Sequence, residues 1–386
     1  MNEDARSTSA RSTIDRAWTQ FRNSLPGDDW LVLGWAFATK VLLLLFGVAS
    51  YQCLEDEKVP FGWPWLEIWN EWDAVHFLRL AEFGYSAADK FKAWFYPFYP
   101  WSVRFTSYLC GDVLLASFLV SAVALFFAVV ILRRVAALEW NPEIARRTVY
   151  FFLIFPTAFY LHIGYTESLF LALALGSIFA ARKERWWIAG LCGAFAWMTR
   201  ANGIILLPTL AVEASQQWMS IKRWRWQWLW IGIVPLGFAV YLFLNWRISG
   251  SPFAFLEMRK ELFHMSFSAP WNGIADAFRN RHRTPNQAEI VGTQELIFTA
   301  LGLACSIWSW FRVRPIYATW ITGNWLLLVC VTFIESMPRY AITMFPIFFL
   351  FAFVSENRFW RLAITFWSIL FFALFSSLFA RGWWVF

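Results

Sequence analysis

Apolar runs of roughly 16 to 22 residues recur along this chain from Trp30 to Phe379, each bounded by Lys or Arg, Pro or Gly. A helix needs about 20 such residues to cross an apolar layer of about 30 Å, so the pattern predicts helices built for lipid. The composition agrees: 59% of the 386 residues are hydrophobic, 21% aromatic and only 15% charged, whereas a soluble domain carries about 25% charged side chains. The expectation is an all-α polytopic membrane protein with one integral-membrane domain over 30–386. Candidate spans are 30–51, 113–132, 148–163, 167–181, 186–199, 203–214, 228–246, 292–311, 315–334, 340–354 and 359–379.

Residues 1–29 are rich in Arg, Ser and Thr and lack the apolar core and cleavage site of a secretory signal. Ile14, Trp18, Phe21 and Leu25 follow helical spacing with Arg11, Arg16 and Arg22 elsewhere around the wheel. That suits an amphipathic helix on an anionic leaflet, and equally a solvated tail. The formal charge of +7 is spread over short loops rather than gathered in one patch, which argues against nucleic acid. Arg133, Arg134, Arg146 and Arg147 share one loop, Arg182, Lys183 and Arg185 a second, Lys222, Arg223 and Arg225 a third; Arg312 with Arg314 and Arg358 with Arg361 mark two more. All five fall on the side of the N-terminus, which the positive-inside rule makes cytoplasmic. The longer loops 52–112 and 247–291 are then external. Cys53 and Cys110 flank the first of them and are candidates for a disulfide if it faces an oxidising compartment. Cys192, Cys305 and Cys330 fall in apolar runs as buried thiols. No metal-ligand spacing of Cys and His is present.

Polar residues collect at breaks on the external side. Trp69-Asn70-Glu71-Trp72-Asp73 puts two carboxylates two positions apart between tryptophans. A partly desolvated carboxylate has a raised pKa and serves as a general base; the same acids also suit an N-cap and first turn ahead of Ala74–Ala81. On that helix His76 and Arg79 lie near Asp73. His76 reads as a substrate ligand or as an interfacial aromatic, and Arg79 as a ligand or as the partner of Glu82. Phe95-Tyr96-Pro97-Phe98-Tyr99-Pro100 suits a membrane-surface loop or a sugar-stacking wall. Further on, His162–Glu167, Thr199-Arg200-Ala201-Asn202-Gly203 and Glu335–Arg339 interrupt apolar runs, as is tolerated where freed backbone groups are buried in protein or line a wet cavity. Arg200, beside Asn202, and Arg339, beside Tyr340, are costly unless they meet a phosphate, a carboxylate or headgroups. Phosphate suits the guanidinium fork. Internal pairs, Arg200 with Glu167 or Arg339 with Glu335, are the competing reading.

Taken in order, these segments resemble the PIG-V family of mannosyltransferases and, more broadly, the GT-C glycosyltransferases. Trp72–Tyr85 looks like the family's first-loop motif, followed by its aromatic-proline stretch at Phe95–Pro100; Tyr165–Phe170 is similar to its second motif and Thr199–Gly203 to its third. Pro338-Arg339-Tyr340 with Phe345-Pro346 is similar to a late Arg-Tyr and Pro pattern. Joined to the eleven candidate spans, the resemblance gives the expectation of a GT-C-type bundle of about 11 transmembrane helices, with amphipathic helices in the first external loop. It also implies a polyprenyl- or dolichyl-phosphate sugar donor, a glycolipid or glycan acceptor, and inversion at the anomeric carbon. Asp73 takes the catalytic-base role with Glu71 completing the acidic pair, and Arg200 and Arg339 hold the donor phosphate. His76, Arg79, Glu167, Asn202, Tyr340, Tyr96 and Trp72 are candidate substrate contacts. No cofactor is required, although Glu71 and Asp73 could hold Mg²⁺ or Mn²⁺.

The expected activity is transfer of a sugar, mannose first, to an acceptor hydroxyl on the external face. Trp-rich spans and a short Arg-rich N-terminus point to a bacterial inner-membrane member with a periplasmic site; a eukaryotic member would sit in the endoplasmic reticulum with a lumenal one. Two rivals remain at this level: a transporter or flippase for lipid-linked sugars, and a non-catalytic subunit of a glycan-assembly complex. The loop 266–290, with Arg279, Arg281 and Arg283, has no assigned role.

Overall fold

Local chemistry sets where the helices begin and stop. Asp112 accepts from the backbone N–H of Leu115 at 2.7 Å, and Asn141 accepts from Ile144 at 3.0 Å just ahead of Pro142; both are N-caps that satisfy otherwise orphaned donors. Gly84, Gly111 and Gly250 close helices in positive-φ conformations. The computed structural model describes residues 26–55, 58–87, 90–262, 264–279 and 288–386. Ile14, Trp18, Phe21 and Leu25, with the proposed N-terminal helix, lie outside the described residues, as do Arg281 and Arg283.

Seventeen α-helices follow one another among the described residues. They are α1 Gly27–Glu55, α2 Pro64–Glu67, α3 Asp73–Phe83, α4 Phe98–Cys110, α5 Val113–Ala136, α6 Pro142–Ile154, α7 Glu167–Arg182, α8 Trp186–Trp197 and α9 Leu206–Ile221. After these come α10 Val234–Ser249, α11 Ala254–Leu262, α12 Pro270–Arg279, α13 Ala288–Arg312, α14 Pro315–Val329, α15 Met337–Ala341, α16 Pro346–Val354 and α17 Arg358–Ala380. The extended pairing described is one isolated antiparallel bridge between Phe267 and Val331.

Among the described residues four helices are long and apolar enough to cross a membrane: α1, α5, the stretch Trp226–Ser249 that ends in α10, and α17. The chain is a multi-pass membrane protein, but the expected bundle of about eleven spans is corrected to four. The runs at 148–163, 167–181, 186–199, 203–214, 315–334 and 340–354 fold instead into helices of 5 to 16 residues. At 1.5 Å per residue even the longest reaches only about 24 Å. The breaks have local causes. Phe155, before Pro156, turns extended (φ −55°, ψ 145°) and ends α6, because a residue preceding proline is driven out of the helical region. Arg200 is likewise extended (φ −152°, ψ 150°) and ends the helical path after α8. Helix α13 has 25 residues, but it opens with Glu289, Gln294 and Glu295.

Two apolar clusters hold the helices. The larger runs through α5 to α9 and α13 to α16; the smaller joins α3 and α4 to the 159–165 turn and to Phe375–Phe386. Charges then collect at the two ends of the bundle. At one end Asp29, fully buried, meets Arg133 and Arg134, Arg182 bonds Glu139, and Arg314 grips Glu213 through two bonds of 2.9 and 3.0 Å. At the other end lie the starts of α3 and α7 and all of α15. A cavity of about 900 Å³ between α5, α7 and α8 is a separate, almost wholly apolar groove ending at Arg134, Lys183 and Arg185. Cys53 and Cys110 are free thiols.

Candidate active site

The residues of greatest interest begin at a strained turn. Ala74 N donates to Glu71 O at 3.1 Å, and Trp72 adopts φ 56°, ψ −119°. Those angles at the second position are those of a type II′ turn, a place that glycine normally takes. A side chain there costs about 1–3 kcal/mol and persists only where its surroundings over-determine it. They do so here: Glu71 O also accepts from the Tyr165 hydroxyl at 2.9 Å, and Trp72 Nε1 donates to Trp383 O at 3.3 Å. The turn starts α3 at Asp73 and sets that carboxylate at the helix N-terminus, where backbone N–H groups favour negative charge.

Three other segments deliver charged groups to Asp73. Arg339 Nη1 donates to Asp73 Oδ2 at 2.7 Å, and Arg339 Nε donates to Glu167 Oε1 at the same distance. Arg200 Nη1 reaches Glu167 Oε1 and Thr166 Oγ1, both at 2.6 Å. The guanidinium of Arg339 lies over the rings of Tyr165 and Tyr160, at 4.8 and 4.9 Å, and that of Arg200 over Tyr340 at 4.7 Å. One buried carboxylate therefore bridges two cations, and one of those cations bridges to Asp73. Burial alone would push the Glu167 carboxyl up; the charges of Arg200 and Arg339 offset this and hold it below its ordinary value. The Glu167 side chain is 0% exposed and that of Asp73 36% exposed, so Asp73 is the carboxylate of the cluster that an incoming group can touch. Of the two internal pairs weighed from sequence, Arg200–Glu167 forms, whereas Arg339 turns to Glu167 and Asp73.

The supporting chain explains the small residues of these motifs. A Cβ on Gly203 would lie 2.4 Å from Trp197 Cα, so that turn closes only with glycine, and one on Gly164 would lie 2.5 Å from Ser117 Oγ, so a side chain there would have to displace the Ser117 hydroxyl. Lys40, in α1, donates to His162 O and ties the turn before Glu167 to the first span. Ahead of α15, Ser336 takes φ 63°, and the Glu295 carboxylate accepts from the N–H groups of Ser336 and Met337 at 2.8 and 2.9 Å, fixing the approach to Arg339.

The other sequence-derived candidates scatter around this cluster. Asn202 points inward to Asn324 and Thr343, at 3.0 and 3.3 Å, with its Oδ1 buried and unpartnered. Tyr96 stacks on Tyr241 at 4.0 Å between centroids. His76 packs between Phe91 and Phe95. Arg79 is exposed on the outer side of α3, away from the ion cluster's bonds. The Glu71 carboxyl lies against Gly382, and partial burial raises it from its ordinary value. As a donor set for a divalent ion, Glu71 and Asp73 fit poorly: Arg339 already occupies one oxygen of Asp73, and among the described residues no group of three His, Cys, Asp or Glu converges. Thr166, Tyr160, Tyr165, Glu295, Asn324, Thr343 and Lys40 were not among the candidates. Lys40, a lone cation inside an apolar run, is the one with a clear sequence signal.

Residues 64–237 match the family described as Mannosyltransferase (PIG-V). This segment, less than half of the chain, is similar to that family. It contains Glu71, Asp73, Glu167 and Arg200, while Arg339 lies beyond it. Similar proteins are GPI alpha-1,6-mannosyltransferase 2 of Homo sapiens, 31% identical over 39% of this chain and 32% of its own length, and that of Mus musculus, 32% identical over 36% and 30%. GPI mannosyltransferase 2 of Schizosaccharomyces pombe is 26% identical over 35% and 30%. The chain thus matches about a third of the length of these curated relatives. These relatives are eukaryotic, which runs against the expected bacterial membership. The archaeal oligosaccharyltransferase AglB from Archaeoglobus fulgidus, solved with an inhibitory peptide and a dolichol-phosphate, overlaps 89% of this chain and 56% of its own at a TM-score of 0.44 and 11% identity. That likeness is too loose to carry anything over.

Proposed function

We propose that this protein is a membrane glycosyltransferase of the GT-C type that moves a sugar, mannose in the first instance, from a polyprenyl- or dolichyl-phosphate donor to an acceptor hydroxyl of a glycolipid or glycan. Asp73 is the general base: it takes the acceptor proton as the acceptor oxygen bonds to C1. The bond from C1 to the phosphate oxygen breaks on the opposite face, its electron pair leaving with the lipid phosphate and the anomeric centre inverting. A phosphate leaving group is already a stable anion, so no general acid is needed. Arg339 fixes one oxygen of Asp73 and leaves the other open to the acceptor. Arg200 and Arg339 keep further N–H donors that can meet the phosphate. Glu167 orients both arginines; Tyr340, Tyr96 and Trp72 supply aromatic surface for the sugar.

The observation that carries this reading is the chain Asp73–Arg339–Glu167–Arg200, assembled from four separate segments at the end of the bundle away from the basic loops. By the positive-inside rule that end is external or lumenal. The test is transfer of radiolabelled mannose from synthetic dolichyl-phosphate mannose to a glycolipid acceptor in detergent, where no gradient exists. Transfer supports the enzyme. A protein that moves the donor between leaflets of a vesicle but transfers no sugar would be a flippase.

A further inference from the structure

The segment from α11 to α12 has no role in the reading above, yet it is built onto the site. Phe255 of α11 packs against Tyr241 with 5.4 Å between centroids, and Tyr241 stacks on Tyr96. Arg259, four residues on, shares that face of the helix. Beyond α11 the chain is joined to the strand that runs into α15: Ser268 N donates to Cys330 O at 3.1 Å, and Thr332 N donates to Ser266 O at 3.0 Å. Gly273 of α12 seats against the same strand, where a Cβ would lie 2.7 Å from Val331 O. This roof is therefore fixed to the segment that carries Arg339 and Tyr340.

Arg259 is held inside the roof. Its guanidinium lies 5.0 Å over the Phe267 ring, and Nη2 donates to Met265 Sδ at 3.1 Å. It is half-buried and within electrostatic reach of Tyr340, the ring that also carries Arg200. Among the described residues it meets no carboxylate. Burial draws its guanidinium down from its ordinary value, with Tyr340 acting the other way, as expected for a cation that lacks a counter-anion. Arg200 and Arg339 differ: their two charges already face Glu167 and Asp73, so that cluster is neutral. A phosphodiester that leaves as a phosphate monoester gains negative charge, and an uncommitted guanidinium is the group that best meets it.

We infer that Arg259 binds the phosphate of the lipid-linked donor, the roof holding it over the site. This rests on the donor class proposed above, and its test separates the two. With purified full-length protein in detergent, binding of dolichyl phosphate and of dolichol is measured for wild type, Arg259→Met, Arg259→Lys and, as an exposed control on the same helix, Lys260→Met. Arg259→Met weakens dolichyl phosphate at least tenfold and leaves dolichol unchanged; Arg259→Lys recovers part of the loss, and Lys260→Met has no effect. On the unmutated protein, phenylglyoxal labels Arg259, and dolichyl phosphate but not dolichol protects it. Wild-type transfer together with unchanged binding by Arg259→Met, or no protection from phenylglyoxal, overturns the assignment and leaves the transferase standing. Phosphate-selective binding through Arg259 without any sugar transfer overturns the transferase and leaves the anion site. Wild-type protein that binds no dolichyl phosphate overturns both.

Discussion

Glu167→Gln is the perturbation that separates a built ion cluster from a loose gathering of charges. The substitution keeps the shape and one acceptor oxygen of a side chain that is 0% exposed, but it removes the charge met by Arg200 Nη1 at 2.6 Å and Arg339 Nε at 2.7 Å. Removing one partner of a buried ion pair costs about 3–5 kcal/mol, because the other charge is left in a poorly solvating surround. Here two cations lose their shared anion and only Asp73 remains, so the loss belongs to the upper part of that range. Equilibrium unfolding in mixed micelles measures it. Adding Arg200→Met to Glu167→Gln removes one stranded cation, so the double variant regains about 1–2 kcal/mol over the single one. A single substitution that costs less than about 1 kcal/mol, or a double variant whose losses simply add, would refute the cluster as drawn.

Trp72 supplies a second test. Because its φ is 56°, Trp72→Gly should be more stable than Trp72→Ala by about 1 kcal/mol or more, reversing the usual order of these residues; thermal unfolding with Ala at least equal to Gly would remove the strain. Tyr165→Phe loses the 2.9 Å bond to Glu71 O, about 1 kcal/mol of stability, and should lower kcat more than it raises the donor KM, a split that a distant core residue would not give. Glu71 yields a pH dependence. Its folded carboxyl sits above the ordinary value of 4.5, so the stability it contributes is complete below that value and is lost as pH rises through the folded one. Glu71→Gln removes the loss, so the variant should melt above wild type at about pH 7 and converge with it at about pH 4; parallel melting curves at both would contradict the assignment.

The breaks in the apolar pattern marked the residues that gather into the ion cluster better than the runs marked the spans. Arg200, Glu167 and Arg339 stood out because a charge at the end of an apolar run must find a partner, and the chain brings all three to Asp73. The same pattern overcounted membrane crossings. An apolar run shows that a segment is buried in something apolar, protein or lipid, and segments such as 315–334 stop at 15 helical residues and bury themselves against their neighbours. Register details were not legible. Nothing local says that Trp72 takes a glycine conformation, that Glu295 caps α15 across a long stretch of sequence, or that Lys40 reaches His162. Those contacts join segments far apart in the chain, and only packing decides them.

Everything proposed for the chemistry passes through one oxygen of Asp73. Mannose transfer from dolichyl-phosphate mannose should therefore be compared between wild type and Asp73→Asn, with binding of dolichyl phosphate and thermal unfolding measured on the same preparations. The account predicts that Asp73→Asn folds, binds dolichyl phosphate as wild type does, and transfers at least about 10²-fold more slowly, the contribution of a general base. Turnover by Asp73→Asn at the wild-type rate would contradict it.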